Sequence, residues 1–172
     1  MSRTACLLVL PAQLLLATVV LAQGTTSQAT ATCNFDANNQ VVVEYQRFSV
    51  NSNKPVLGHE IPYGRVWAPG GKPMTLFRNS PIAVAGHDIP AGAYTLLVIP
   101  SQKEWTLVIC KSADTSGRYD EKDDFLRVAM DFGQLDRAED QFSIFFAHVA
   151  PGQCSMRLDL EKARAWVIFE KR

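Results

Sequence analysis

The chain has 172 residues, and its 17 basic and 17 acidic side chains leave no formal net charge at pH 7. That balance argues against nucleic acid or an anionic membrane surface as the main partner. Hydrophobic residues make up 47% of the sequence, enough for a sizeable core, and the body shows no shift of composition, so a single domain is expected.

The first 22 residues stand apart. Arg3 gives a short positive start, and residues 5–22 form an uncharged, mostly apolar run broken only by Pro11, Gln13 and Thr18. Val20, Leu21 and Ala22 supply tolerated residues for cleavage, so residues 1–22 read as a signal peptide and the product as periplasmic or secreted. The rival is a retained N-terminal anchor, which Pro11 and Gln13 weaken. Neither Cys6 nor Cys33 lies where a lipoprotein cysteine would. Residues 23–32, rich in Thr, Ala, Gln and Ser, read as a flexible leader before a domain spanning 33–172. Cleavage removes Arg3 alone among the charges, leaving 16 basic and 17 acidic groups, and it leaves Cys33, Cys110 and Cys154.

Residues 33–35 and 41–48 read as a strand pair around the turn cluster Asp36, Ala37, Asn38 and Asn39. Residues 51–61 read as a long polar loop, residues 63–67 as a short strand, and 69–73 as a firm break with two prolines and two glycines. Short strands are expected over 75–79 and 82–85. The clearest stretch follows. Residues 93–99 and 105–110 are apolar on both faces of a period-2 pattern, rich in β-branched and aromatic residues, and separated by five residues of hairpin loop. Apolar character on both faces predicts interior strands, and the shortness of each run argues against a buried helix. Residues 112–124 read as a charged surface loop. Strands are expected over 125–132, 142–149, 154–160 and 163–169. Residues 158–169 also have helix-forming composition, but Met156, Leu158 and Leu160 alternate with Arg157 and Asp159, which favours strand. About nine short strands between turn signals predict an all-β, antiparallel β-sandwich.

Several of these pieces, taken as a set, resemble a bacterial family known as domain of unknown function 2911. They are the Pro-Tyr-Gly-Arg-Val-Trp of 62–67, the Ile-Pro-Ala-Gly-Ala-Tyr-Thr-Leu of 89–96, Ile99-Pro100 with Trp105 following, Tyr119-Asp120 before the Asp-Phe-Leu-Arg-Val of 124–128, and the closing segment from Cys154 to Ala165. The likeness runs from about Cys33 to Phe169 and implies a fold and an export route, not a reaction. One segment departs. Where the family continues Arg-x-Gly-Ala-Asn-Glu-x-Thr, this chain has Ala68, Pro69, Gly70, Gly71, Lys72, Pro73, Met74 and Thr75. Only Gly70 and Thr75 match, so any site built on those polar residues is altered or lost here.

Three cysteines in an oxidising compartment make one pair and one remainder. Cys110 ends an interior strand among apolar residues and suits a buried free thiol. Cys33 and Cys154 each start a terminal strand, where a bridge would restrain fraying, so they are the expected disulfide. The resemblance implies the same pairing. Cys110 with Cys154 is the rival.

No constellation in the sequence carries a reaction. His59, His87 and His148 are not spaced as a metal set, and no metal or cofactor is expected. Asp114, Asp120, Glu121, Asp123 and Asp124 form an acidic loop without the calcium-loop pattern. No nucleophile elbow, Cys-His pair or phosphate-binding loop is present. Tyr63, Trp67, Tyr94, Trp105 and Tyr119 are candidates for a ligand-binding aromatic face, with core packing as the rival reading. The expectation is therefore a non-enzymatic exported module that binds a small molecule, glycan or protein partner. The alternative is a cell-envelope hydrolase using carboxylates of the loop from Asp120 to Asp124.

Overall fold

The computed structural model describes residues 26–50, 54–111 and 119–172. The expected signal peptide, residues 1–22, and most of the loop after residue 111 lie outside the described residues. Among the described residues nine strands form one antiparallel sheet, and there is no α-helix.

β1 (Ser27–Asn34) and β2 (Gln40–Arg47) pair with Cys33 opposite Val41. The turn between them is set by Asp36, whose Oδ1 accepts from the Asn38 amide at 2.9 Å and from Asn39 Nδ2 at 2.8 Å. Residues 27–32 thus belong to a strand and correct the reading of a leader over 23–32. Ala29, Ala31 and Cys33 point inward while Gln28, Thr30 and Thr32 stay exposed. The inward residues are small, so composition hid a period-2 pattern.

β3 (Met74–Arg78) lies between β2 and β6 (Gly92–Ile99), and β7 (Trp105–Cys110) follows β6. The β6–β7 hairpin is interior, as its two apolar faces require. Leu96 and Leu107 face the main core and are fully buried, while Leu97, Val108 and Cys110 form a second cluster beneath Val66, Ala68 and Tyr119. The expected strand over 63–67 is a covering loop instead. Gly64 adopts φ 72°, and only Trp67 pairs, exchanging amide hydrogen bonds of 2.7 and 3.0 Å with Val98 where β3 has ended.

β4 (Ile82–Val84) and β5 (His87–Ile89) close the opposite edge beside β9 (Gln153–Lys171). β8 (Asp124–Ala150) runs for 27 residues and β9 for 19. The expectation of uniformly short strands fails here, because each read as two strands is one strand with irregularities. β8 pairs with β7 by its first part and with β9 by the rest. The sheet folds over along it: Phe142 of β8 packs edge-on against Tyr45 of β2, with ring centroids 5.8 Å apart, and stacks on Phe48 at 5.4 Å. The result is a sandwich of two sheet halves around one core, in the sheet order β1-β2-β3-β6-β7-β8-β9-β4-β5.

Cys33 and Cys154 are bonded across the two halves, with Cα atoms 6.4 Å apart and a sequence separation of 121, and Cys110 is free and buried. Closing a segment of that length removes about 4–5 kcal/mol of unfolded-chain entropy.

Candidate functional site

A change of phase in β9 shapes the candidate site. Met156, Leu158 and Leu160 point into the core, and then Ala163, Ala165, Val167 and Phe169 do. Inward positions move from even to odd numbers, which a regular strand cannot do. The slip falls at Glu161, a non-glycine residue at φ 53°. Opposite it, β8 loses register twice, between Gln134 and Glu139 and between Glu139 and Ser143. Such bulges re-aim side chains, and this one also places Asp159 and Arg164 together, although five residues apart. Arg164 grips the Asp159 carboxylate through two hydrogen bonds of 2.7 and 2.6 Å, which raise the guanidinium pKa further.

Glu161 is not idle in its strained conformation. Its carboxylate accepts the backbone amides of Val56 at 2.6 Å and Leu57 at 3.4 Å. The loop these residues begin is closed by its own bonds, with the Ile61 amide donating to the Val56 carbonyl at 2.9 Å. A cavity of about 580 Å³ opens between this pinned loop, the β6–β7 turn and the bulged middle of β8 and β9. Leu57, Phe132 and Ala163 give it apolar walls; Gln102, Gln134, Glu139 and Lys162 give it polar ones. Its volume and mixed lining fall in the range of small-molecule sites. Ser101 also lines it, but its hydroxyl is spent on the turn, accepting the Glu104 amide at 3.0 Å and donating to the Glu104 carbonyl.

The five candidate aromatics do not share one face. Tyr63, 38% exposed, lines the cavity. Trp67 lies edge-on to Phe48, Phe142 and Trp105 and borders a neighbouring hollow of about 480 Å³. Trp105 is fully buried, with its indole N–H donating to the Ser101 carbonyl at 3.1 Å. Tyr94 is buried beneath the Arg78 guanidinium and donates to the Pro90 carbonyl at 3.0 Å. Tyr119 covers the second cluster, away from the cavity.

Of the acidic loop, Asp114 lies outside the described residues, while Glu121 and Asp124 are paired with Arg127. Asp124 accepts from Arg127 Nε at 2.6 Å, from the Tyr119 hydroxyl at 3.0 Å and from the Cys110 thiol at 3.6 Å. Glu121 meets Arg127 at 3.0 Å, and Asp120 caps the turn Glu121–Asp123 by accepting the Lys122 amide at 3.0 Å. The bond to Asp124 raises the Arg127 pKa. Burial, and then the Asp124 carboxylate, push the Cys110 thiol up to about 12, which removes it as a nucleophile at neutral pH. Tyr119 is raised by the same two causes in the same order. The histidines do not converge: His59 is in the pinned loop, His87 on β5, and His148 beside the disulfide, its Nδ1 3.5 Å from Cys154 Sγ.

Sequence reasoning passed over most of the cavity. Phe132, Gln134, Glu139, Glu161 and Lys162 sit where two apolar alternations are interrupted, and that interruption was the available signal.

The sequence profile of a family described as protein of unknown function (DUF2911) matches residues 26–169. The chain belongs to the DUF2911 family. No curated protein and no solved structure matches it. The match begins at β1 and ends within β9, so the cavity and the disulfide both lie inside the DUF2911 region. The structure also accounts for the one glycine kept in the segment that departs from the family pattern. Gly70 has φ 70°, and a Cβ there would come within 2.6 Å of Gln46 Cβ on β2. Any side chain is excluded at that turn. Gly70 and Gly71 border the second hollow, so the departure alters that hollow and leaves the lining of the 580 Å³ cavity untouched.

Proposed function

We propose that this DUF2911 chain is an exported, non-catalytic binding module that takes a small molecule, or the small end of a glycan or protein partner, in the cavity between the 54–61 loop and the middle of β8 and β9. The observation that carries the reading is the pinned loop. Glu161 spends both a strained backbone and a carboxylate on holding Val56 and Leu57. Strain of that kind persists only where the surroundings hold it, and it collects at functional sites. Phe132 and Leu57 offer apolar contact, Tyr63 an aromatic edge, and Gln102, Gln134 and Lys162 orienting hydrogen bonds.

A hydrolase built on the loop from Asp120 to Asp124 draws less support. Asp124 is occupied by Arg127 and Tyr119, Asp120 by its capping bond, and Glu121 by Arg127. Export rests on the N-terminal charge and apolar run, with the disulfide in keeping with an oxidising compartment.

The test is a thermal-shift screen of the purified chain against sugars, small amphipathic metabolites and short peptides. A compound at about 100 times its dissociation constant stabilises by about 2.7 kcal/mol. Ala138→Trp, at an exposed lining position, should block the cavity and abolish the shift. A hit that stabilises the blocked variant equally, or a panel without hits, contradicts the proposal.

A further inference from the structure

The end of the sandwich remote from the cavity carries a different chemistry. Cys33 opposes Val41 at the start of β2, and β2 then leads away toward Val50 at the cavity. At the Cys33 end, His148 of β8 and Cys154 of β9 are cross-strand partners. Directly opposed residues on antiparallel strands share a face. His148 therefore continues the inward row of Phe142, Ile144 and Phe146 to the point where the sandwich opens, and there it is exposed. Cys33 comes to the same place from β1. One ligand atom from each of Cys33, His148 and Cys154 lies within 4.8 Å of the others.

We propose that Cys33, His148 and Cys154 form a redox-gated site for monovalent copper, closed while the two sulfurs are bonded to each other and opened by a dithiol reductant. The reductant supplies two electrons and two protons, its own sulfurs become a disulfide, and Cys33 and Cys154 become thiols. Copper(I) then displaces both thiol protons to solvent and takes two thiolates and the Nδ1 lone pair of neutral His148, whose proton sits on Nε2. Thiolate sulfur favours soft copper(I), while structural zinc asks for four ligands. Among the described residues no fourth cysteine, histidine or carboxylate joins the three. Three ligands suit the low coordination of copper(I). The sulfurs are shielded, with Cys33 1% and Cys154 0% exposed, so exposed His148 is the entry point and first contact.

The test is an anaerobic titration of the chain with copper(I) held by a chromophoric competing chelator. The oxidised chain should take none. The chain reduced with a phosphine or dithiol and freed of excess reductant should take one equivalent. His148→Ala, at an exposed position, should weaken binding by at least about tenfold, and Cys110→Ala should leave it unchanged. Near-ultraviolet circular dichroism of the reduced chain should stay native-like, because the site needs β1, β8 and β9 held in place. The proposal is overturned if the reduced chain takes no copper or loses its native dichroism. It is equally overturned if the oxidised chain binds as well, if His148→Ala binds as tightly, or if the double variant Cys33→Ser, Cys154→Ser retains the equivalent.

Discussion

Glu161 shows how one side chain serves both fold and site. Its φ of 53° lies in the left-handed region, which costs an ordinary residue about 1–2 kcal/mol. Its carboxylate answers two backbone amides of the 54–61 loop. Glu161→Ala keeps the strain and orphans those amides, and should cost about 1–3 kcal/mol in denaturant unfolding. Glu161→Gly orphans them equally but relieves the backbone, and should recover about 1 kcal/mol of that loss. Equal stability of the two variants contradicts the backbone part of the account. Cys110 is the second case. In the fold its thiol stays protonated up to about 12, because burial and then Asp124 oppose the thiolate. The unfolded thiol ionises near 8.5. A raised folded value means that the group stabilises fully below about pH 8.5, and that this contribution is lost as pH rises toward 12. The melting-temperature gap between wild type and Cys110→Ala should therefore be constant from about pH 6 to 8 and shrink above about pH 9. A gap that widens with pH contradicts it.

At the scale of elements, the β6–β7 hairpin was the most legible part of the chain. Two short apolar runs with no polar face can be satisfied only between other strands, and β3 and β8 flank them. Leu96→Ala and Leu107→Ala should each cost about 2–5 kcal/mol in denaturant unfolding, the range for emptying a core position. Wild-type stability in both would remove these strands from the centre. Other elements were hidden for physical reasons. β1 alternates Ala and Cys with Thr and Gln, and alanine's weak strand preference disguises the pattern. Residues 63–67 have strand-forming side chains, but Gly64 and the neighbouring Pro62 turn the segment into a cover with one paired residue. The long β8 and β9 were divided because polar residues interrupt their alternation, and those interruptions are the bulges that build the cavity. The parity change from Leu160 to Ala163 was present in the sequence. What it could not show is that Glu161 would reach across to Val56, a contact 105 residues distant.

At the scale of the whole molecule, the sheet folds over along β8 and leaves two ends with different chemistry, the pinned cavity at one and the sulfur–imidazole group at the other. Both depend on β8 and β9 as shared scaffold. The sandwich class and the family were legible, because strand spacing and a set of short motifs point the same way. The cavity was not, because its walls come from four separate stretches that only the fold-over assembles. Export is expected to follow cleavage after Ala22, and intact-mass analysis of protein from an exporting host should place Gln23 at the N-terminus. A full-length, membrane-retained product contradicts that. The measurement that tests the central claim most directly is backbone-amide NMR of the chain titrated with a compound taken from the thermal-shift screen. The account predicts that the perturbed amides cluster at Gln102, Phe132, Glu139 and Lys162 and that the compound is recovered unchanged. Perturbations centred on Asp120, Asp124 and Arg127, with the compound hydrolysed, would contradict it.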